Sequence, residues 1–174
     1  AVCSACPLGA TTSALGATAE SDCACPPNSK LNDEGDGCEC KSGYSGFLVS
    51  PGDQCEQCSA GSYKSGAGNL DCVECPVGAF TSTPGSKKKS DCACPSNSVL
   101  NAAETECECA VGYSGDLSVA GAACEPCGVA TFKAAVGSAA CAACPAGTSS
   151  EEGSVGCARC AAGSHAPFEG QTSC

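Results

Sequence analysis

Residues 92–127 read CACPSNSVLNAAETECECAVGYSGDLSVAGAACEPC, a stretch in which cysteines occur in CxC and CxxC pairs. Loops of small and polar residues separate these pairs. The same arrangement occurs 69 residues earlier, from Cys23 to Cys58. A fixed period of this length is typical of repeat proteins, in which each unit contacts mainly its neighbours. The sequence therefore predicts an array of cysteine-rich repeats.

Residues other than cysteine follow the same period. Gly43-Tyr44-Ser45-Gly46 returns at residues 112–115, and Tyr63-Lys64 returns as Phe132-Lys133. The end of the chain departs from it, because Ala161 stands where the period requires cysteine and the later CxxC pairs follow at steps of 16 or 17 residues. We predict three units: repeat 1 over residues 1–69, repeat 2 over 70–138, and a partial, divergent repeat 3 over 139–174.

Composition excludes an ordinary hydrophobic core. The 174 residues include 7 Leu, 10 Val, 4 Phe and no Ile, and the net charge is −11. A chain so poor in large apolar residues is normally disordered unless something else constrains it. The 21 cysteines supply that constraint, since each disulfide that closes a loop of ~15 residues contributes about 3 kcal/mol in the chain-entropy model. Disulfides on this scale predict an extracellular or cell-surface location, reached by secretion.

The fold class predicted from these features is a small disulfide-rich repeat array. We expect an elongated rod of short β-hairpins and irregular loops, with little helix, because Gly, Pro, Ser and Asn dominate between the cysteines. The odd number of cysteines leaves one thiol to pair outside these residues, so we expect a segment of a longer polypeptide. No apolar run is long enough to span a membrane.

No motif indicates catalysis, and we predict neither an enzyme nor a cofactor. The single histidine, His165, lies in a Gly/Ser/Pro-rich loop without a nucleophile signature. The acidic net charge argues against nucleic acid as a partner. A zinc ribbon at Cys55, Cys58, Cys72 and Cys75 is the alternative to disulfides, although the chain also carries CxC pairs and no histidine near them.

Two charged loops are expected to be solvated turns. Residues 32–36 (NDEGD) hold several oxygen ligands suited to calcium, but their counterparts at 101–105 (NAAET) keep few of them. The basic run at residues 87–89 is expected at an exposed loop tip.

The cysteine motifs resemble known extracellular families. Cys38-x-Cys40-x-x-Gly43-Tyr44-x-Gly46 resembles the C-terminal signature of EGF-like modules, although the next cysteine comes later than in that signature, nine residues after Gly46. Residues 55–76, with two CxxC pairs and Gly-x-Tyr-Lys between them, are similar to the cysteine-rich region of ephrin receptors. Tumour necrosis factor receptor ectodomains have a more distantly similar pattern of cysteines. Large surface and flagellar-hair (mastigoneme-like) proteins of algae and protists, rich in alanine and glycine, carry such repeats too.

The EGF-like resemblance implies that Cys40 closes on Cys55 and Cys109 on Cys124. The same pairing, of the second cysteine of one pair with the first cysteine of the next, can be extended along the chain. It gives a scheme that we call the ladder, with the further disulfides Cys6–Cys23, Cys25–Cys38, Cys58–Cys72, Cys75–Cys92, Cys94–Cys107, Cys127–Cys141, Cys144–Cys157 and Cys160–Cys174. The ladder leaves Cys3 for a partner outside the segment. An interleaved scheme, with Cys72–Cys92 and Cys75–Cys94, uses the same pairs of cysteines and stays open from the sequence.

Two further groups of residues recur at equivalent places. Tyr44 and Tyr113 are expected to pack over a neighbouring disulfide. Hydroxyl residues follow each Pro-x-Gly and are candidates for O-glycosylation: Thr12, Ser13, Thr81, Ser82, Thr83, Thr148, Ser149 and Ser150. No Asn-x-Ser/Thr sequon occurs, so N-glycosylation is not expected.

Two classes of function remain. One is a structural segment whose repeats build an extracellular fibre, a flagellar hair or a cell-surface matrix, with self-association or other extracellular proteins as partners and attached glycans. The other is the stalk or ligand-binding region of a surface receptor or adhesion protein. A receptor is expected to carry a patch on one repeat only, and Phe47-Leu48-Val49 against Asp116-Leu117-Ser118 is the best candidate.

Overall fold

The computed structural model describes residues 4–119 and 121–174. Within these residues, sixteen strands of two or three residues pair into eight two-stranded antiparallel sheets. The strands are β1 Thr11–Thr12, β2 Cys23–Ala24, β3 Ser29–Leu31, β4 Cys38–Cys40, β5 Tyr44–Ser45, β6 Glu56–Gln57, β7 Ser62–Tyr63, β8 Val73–Glu74, β9 Ser98–Leu100, β10 Cys107–Cys109, β11 Tyr113–Ser114, β12 Glu125–Pro126, β13 Thr131–Phe132, β14 Ala142–Ala143, β15 Thr148–Ser149 and β16 Ala158–Arg159. Each odd-numbered strand pairs with the next strand along the chain.

The hairpins repeat with the sequence. β3–β4 returns as β9–β10, β5–β6 as β11–β12, and β7–β8 as β13–β14. The counterpart of β1–β2 is a single bridge between Phe80 and Ala93. The helices in the described residues are the short 3₁₀ helices Glu20–Asp22 and Lys89–Asp91. The predicted small disulfide-rich array of hairpins with little helix is therefore confirmed. None of these helices has the length and apolar character that crossing a lipid bilayer requires.

The described residues group into two compact units. The first contains residues 4–75 together with Phe80–Ala93, and the second contains Pro76–Ala79 and the described residues of Cys94–Cys174. The segment Cys75–Ala93 is therefore divided: its Cys75–Cys92 disulfide lies in the first unit, while Val77 pairs with Glu106 in the second.

Each unit has a small core made mainly of sulfur. In the first, Leu48 packs with Cys38, Cys40, Cys55 and Ala10. In the second, Leu117 packs with Cys107, Cys109 and Cys124. Disulfides thus occupy the place that aliphatic side chains fill in larger domains, as expected for a chain that cannot build an ordinary core. Leu48, the centre of the predicted receptor patch, and its counterpart Leu117 are both core residues.

The end of the chain departs from the period in two ways: one loop is shorter, and the pair Cys157 and Cys160 is CxxC where the period has CxC. Cys144 and Cys157 are separated by 13 residues, whereas the corresponding Cys75 and Cys92 are separated by 17. The four missing residues place a cysteine at 157 instead of 161. A 3₁₀ helix lies in the longer loop, and β15–β16 closes the shorter one directly.

Candidate functional site

Ten disulfides join the cysteines of the described residues, and in each the Cα atoms lie 5.4–5.7 Å apart. They are Cys6–Cys23, Cys25–Cys38, Cys40–Cys55, Cys58–Cys72, Cys75–Cys92, Cys94–Cys107, Cys109–Cys124, Cys127–Cys141, Cys144–Cys157 and Cys160–Cys174. The structure thus brings together the pairs of the ladder, and Cys72 lies with Cys58 instead of Cys92. Cys3, predicted to pair outside the segment, lies outside the described residues.

The four cysteines of the zinc alternative do not converge on one point. Cys55 is bonded to Cys40, Cys58 to Cys72, and Cys75 to Cys92. A thiolate must be free to ligate zinc, so the paired sulfurs are not available as ligands. Across residues 4–119 and 121–174, no group of three or more His, Cys, Asp or Glu side chains is arranged to hold a metal ion.

The loop considered for calcium is closed by its own side chains. The Asn32 side-chain amide donates to the Asp36 carboxylate at 2.8 Å. Its oxygen accepts hydrogen bonds from the backbone N–H groups of Asp36 and Gly37 at 3.2 and 3.3 Å. The same role falls to Asn101, whose oxygen accepts from Thr105 N–H at 3.0 Å. The asparagine shared by both loops therefore shapes an Asx-type turn.

The junction between successive hairpins depends on a glycine three residues after Cys40 and, in the second unit, three residues after Cys109. The N–H of Gly43 donates to the Lys64 carbonyl at 2.9 Å, and its own carbonyl accepts from the Cys58 N–H at 2.9 Å. Its φ of +81° is the left-handed conformation that favours glycine, and a Cβ built there would overlap the Gly85 carbonyl oxygen. Three segments of the chain therefore meet closely at Gly43.

The second unit builds the same junction at Gly112. Its N–H donates to the Lys133 carbonyl at 2.9 Å, and its carbonyl accepts from the Cys127 N–H at 2.8 Å. The φ is +79°, and here a Cβ would overlap the carbonyl oxygen of Gly153. The hydrogen-bond partners of Gly112 are thus those of Gly43 moved along the chain by one repeat.

One hydrogen bond of this junction, from a cysteine N–H to the carbonyl of a left-handed residue, occurs more often than once per repeat. A cysteine N–H also donates to the carbonyl of a left-handed residue in three further hairpins: Cys75 to Gly61 at 2.8 Å, Cys144 to Ala130 at 2.8 Å and Cys160 to Gly147 at 3.0 Å. Among the described residues, the hydrogen bond is therefore shared by the five CxxC pairs from Cys55 to Cys160.

A buried lysine strengthens the junction in the first unit. Lys64 is only 5% exposed, and its Nζ donates to the carbonyl oxygens of Tyr44, at 2.8 Å, and of Gly68. Burial lowers the pKa of this ammonium group, while the Glu39 and Asp71 carboxylates oppose that shift. One side chain thus connects β5 with the loop after β7.

The second unit has an equivalent buried lysine. Lys133 is also 5% exposed, and its Nζ donates to the carbonyl oxygens of Tyr113 at 2.9 Å, Cys109 at 3.3 Å and Gly137. Burial lowers its pKa as well, opposed by Glu108. The repetition of Tyr-Lys as Phe-Lys in the sequence marked these positions, but it did not indicate that the ammonium group would be enclosed by backbone oxygens.

The tyrosines lie where expected. Tyr44 is half-buried against the cluster that contains Cys40 and Cys55, and Tyr113 against the cluster that contains Cys109 and Cys124. The expectation that each packs over a disulfide is confirmed. The Tyr44 hydroxyl also accepts a hydrogen bond from the Gln57 side chain at 3.2 Å.

The predicted glycosylation residues differ in accessibility. Ser13, Ser82 and Thr83 are exposed, and Thr12, Thr148 and Ser149 are half-buried. Thr81 is only 2% exposed, and its hydroxyl accepts from the Gly61 N–H at 3.0 Å. The Ser150 hydroxyl is buried too, donating to the Thr131 carbonyl at 2.8 Å. Thr81 and Ser150 therefore join neighbouring hairpins.

Two segments of the chain match a family model, that of the tyrosine-protein kinase ephrin type A/B receptor-like region. The matched residues are 46–92 and 115–152, so the two matches begin 69 residues apart, one period of the cysteine pattern. Two segments of the chain are therefore similar to the ephrin-receptor-like cysteine-rich region. No curated protein matches it closely enough to add a relative.

The family and the disulfides agree on the environment. Ephrin-receptor-like repeats with many disulfides fit an extracellular location and indicate a structural or receptor-like region that contacts other extracellular proteins. Repeats of this kind are typically non-enzymatic.

Proposed function

We propose that this chain is a structural segment of a secreted protein, whose disulfide-closed repeats build a fibre, a flagellar hair or a cell-surface matrix. The observation that carries the proposal is the repetition of one junction in both units. Gly43 and Gly112 make the same two backbone hydrogen bonds, and Lys64 and Lys133 both donate to the tyrosine carbonyl twenty residues earlier. An assembly built by adding modules needs such a constant connection.

The surface chemistry supports the same proposal. The net charge of −11 keeps exposed material soluble. Glycans on the exposed hydroxyls of Ser13, Ser82 and Thr83 would add a hydrated layer. We infer self-association, or association with other extracellular proteins, as the mode of assembly.

A receptor or adhesion stalk is the second candidate, favoured by one difference between the repeats. Phe47 and Val49 are 60% and 61% exposed in the first unit, whereas the equivalent residues of the second unit are Asp116 and Ser118. An exposed apolar pair on one repeat alone is the kind of difference that a ligand site requires.

Immunoelectron microscopy of the native material tests the proposal. An antibody against the exposed segment 87–91 labels the protein where it occurs, and the same antibody blocked with its peptide is the control. Label at regular intervals along filaments or within a continuous layer supports the structural role. Label on isolated particles at a membrane overturns it in favour of the receptor stalk.

A further inference from the structure

The edge of strand β4 is covered by a side chain that its sister strand lacks. In the first unit, the Asn69 carboxamide donates from Nδ2 to the Cys38 carbonyl at 3.1 Å. Its Oδ1 accepts from the Cys40 N–H at 3.4 Å. The carboxamide thus takes the place that a neighbouring strand's peptide group would occupy on an open sheet edge.

In the second unit the equivalent edge is not covered in this way. Residue 138, which corresponds to Asn69, is a serine with an exposed side chain. The Cys107 carbonyl and the Cys109 N–H correspond to the groups that Asn69 contacts. Both cysteines and Ser138 line a cavity of about 80 Å³, together with Glu106, Asp116 and Ser118 among others.

The backbone beside this cavity keeps the geometry of the first unit. The Gly137 N–H donates to the Cys109 carbonyl at 3.1 Å, as the Gly68 N–H donates to the Cys40 carbonyl at 2.9 Å. Cys109 and Gly137 also form an antiparallel bridge, in which the Cys109 N–H faces the Gly137 carbonyl. Of the two edge groups, the Cys107 carbonyl is therefore the more available to a ligand. The backbone on the Gly137 side of the cavity is therefore held as the backbone beside Asn69 is in the first unit.

We propose that this cavity binds a primary carboxamide, the side chain of an asparagine or glutamine from a partner polypeptide. Its NH₂ group donates to the Cys107 carbonyl, as that of Asn69 does to the Cys38 carbonyl, and its oxygen shares the Cys109 N–H with the Gly137 carbonyl. The cavity holds several times the roughly 10–15 Å³ that one water needs, which is enough for the three heavy atoms of a carboxamide.

The acidic rim selects against the isosteric carboxylate. Glu106, Glu108 and Asp116 all line the cavity. Asp116 stays ionised, because hydrogen bonds from the Ser118 side chain and backbone lower its pKa. A neutral group with two N–H donors is attracted to this rim, whereas a second carboxylate is repelled. This inference goes beyond a scaffold function, since it gives one repeat a binding site.

Titration of the whole chain with acetamide, followed by amide NMR shifts, tests the proposal. We expect saturable shifts at Cys107, Cys109 and Ser138, with a Kd on the order of 10 mM for so small a probe. Acetate should produce no saturable shift there. N-methylacetamide, which mimics a peptide backbone, should bind at least about tenfold more weakly, because it offers one N–H instead of two.

Exchanging the two sister residues provides matched variants. Ser138→Asn should supply the carboxamide from within the chain and abolish the acetamide response at Cys107. Asn69→Ser should create the response at Cys38 and Cys40. Ser138→Ala, which keeps the cavity, should still bind. Shifts that never saturate, that persist unchanged in Ser138→Asn, or that acetate or N-methylacetamide reproduces equally would overturn the proposal.

Discussion

The ammonium group of Lys64 lies 2.8 Å from the carbonyl oxygen of Tyr44, which is twenty residues earlier in the chain. A buried charge is unfavourable unless it is hydrogen-bonded. Here backbone oxygens provide the partners, and the Lys133 ammonium makes the same contact with Tyr113 at 2.9 Å. In each unit a lysine therefore holds carbonyl groups from separate segments together.

Replacing Lys64 with methionine should loosen the first unit. The substitution keeps most of the apolar length but leaves the Tyr44 and Gly68 carbonyls without their donor, at a cost of about 1–3 kcal/mol for each buried acceptor that stays unsatisfied. Removing the buried charge offsets part of this, so we expect a net loss of about 2 kcal/mol. Amide hydrogen exchange at Gly43 and Cys58 measures the loss locally.

Lys41→Met is the matched control, because Lys41 is exposed. It should change the free energy of opening, measured from exchange at the same two amides, by no more than about 0.5 kcal/mol. Equal effects of the two substitutions would mean that the buried ammonium group does not stabilise the junction.

Substituting Gly43 by alanine tests how closely the segments approach. The left-handed conformation alone costs alanine about 1–2 kcal/mol. Overlap with the Gly85 carbonyl adds about 1–3 kcal/mol more, because backbone atoms cannot move aside cheaply. We expect urea denaturation of the oxidised protein, followed by tyrosine fluorescence, to show a total loss of about 3 kcal/mol.

Gly35→Ala separates the two contributions. Gly35 has a similar φ of +77°, but nothing lies within 4 Å of a Cβ built there. It should show the conformational cost alone, about 1–2 kcal/mol. If both variants lose the same amount, close approach at Gly43 has no energetic role.

The hairpins and the sulfur-based core could be predicted because their determinants are local or periodic. Cysteine spacing, turn residues and the scarcity of large apolar side chains all lie in the sequence itself. The packing of Tyr44 on its disulfide cluster also followed from its fixed place after a CxC pair.

The roles of Lys64 and Leu48 could not be predicted, because each depends on backbone brought together from distant positions. Every residue has a carbonyl, so no residue type marks those that Lys64 contacts. Leu48 lies between the exposed Phe47 and Val49 and was expected in a surface patch, yet it is 1% exposed. Only the convergence of Cys38, Cys40 and Cys55 shows that it belongs to the core.

The disulfide ladder stays a prediction until the bonds are mapped chemically. Digestion of the oxidised protein after glutamate cuts at Glu74 and separates Cys72 from Cys75. Cleavage also occurs after Glu56 and Glu104, so Cys58 and Cys72 lie in peptide 57–74, and Cys75 and Cys92 lie in peptide 75–104. We expect peptide 57–74 to be released with an internal Cys58–Cys72 disulfide and without a link to peptide 75–104, as the structure joins these cysteines. A peptide that links Cys72 to Cys92 would support the interleaved scheme instead.

Removal of a buried disulfide should cost more than removal of an exposed one. Cys40–Cys55 and Cys160–Cys174 close loops of nearly equal length, 15 and 14 residues, so the chain-entropy contributions are both about 3 kcal/mol. Cys40 and Cys55 are buried, whereas Cys160 is half-buried and Cys174 exposed. Double alanine variants should therefore differ by about 1–3 kcal/mol, the cost of the cavity left in the core.

Each pair should be compared with the oxidised wild-type protein by urea denaturation. Alanine is preferred to serine because it leaves no hydroxyl group to be buried. Equal losses for the two pairs would show that the disulfides act only through chain entropy and not as core.

The 3₁₀ helix Lys89–Asp91 should make stability depend on pH in acid. The Asp91 carboxylate accepts hydrogen bonds from the Lys87 and Lys88 N–H groups at 2.9 and 3.0 Å, and these bonds lower its pKa. A carboxyl group whose pKa is lower in the folded state stabilises the fold above the unfolded pKa of about 3.9. That contribution is lost as the pH falls through the lower, folded pKa.

Asp91→Asn keeps an oxygen acceptor but removes the charge. The difference in urea midpoint between wild type and variant should therefore be largest near pH 6 and shrink steadily below about pH 4, where the wild-type carboxyl group becomes protonated. Asp22, which accepts from Thr18 and Ala19 at 2.9 and 3.0 Å and also has a lowered pKa, should behave likewise when changed to asparagine. A difference that stays constant from pH 6 to pH 2 would mean that the ionised form is not what these backbone groups stabilise.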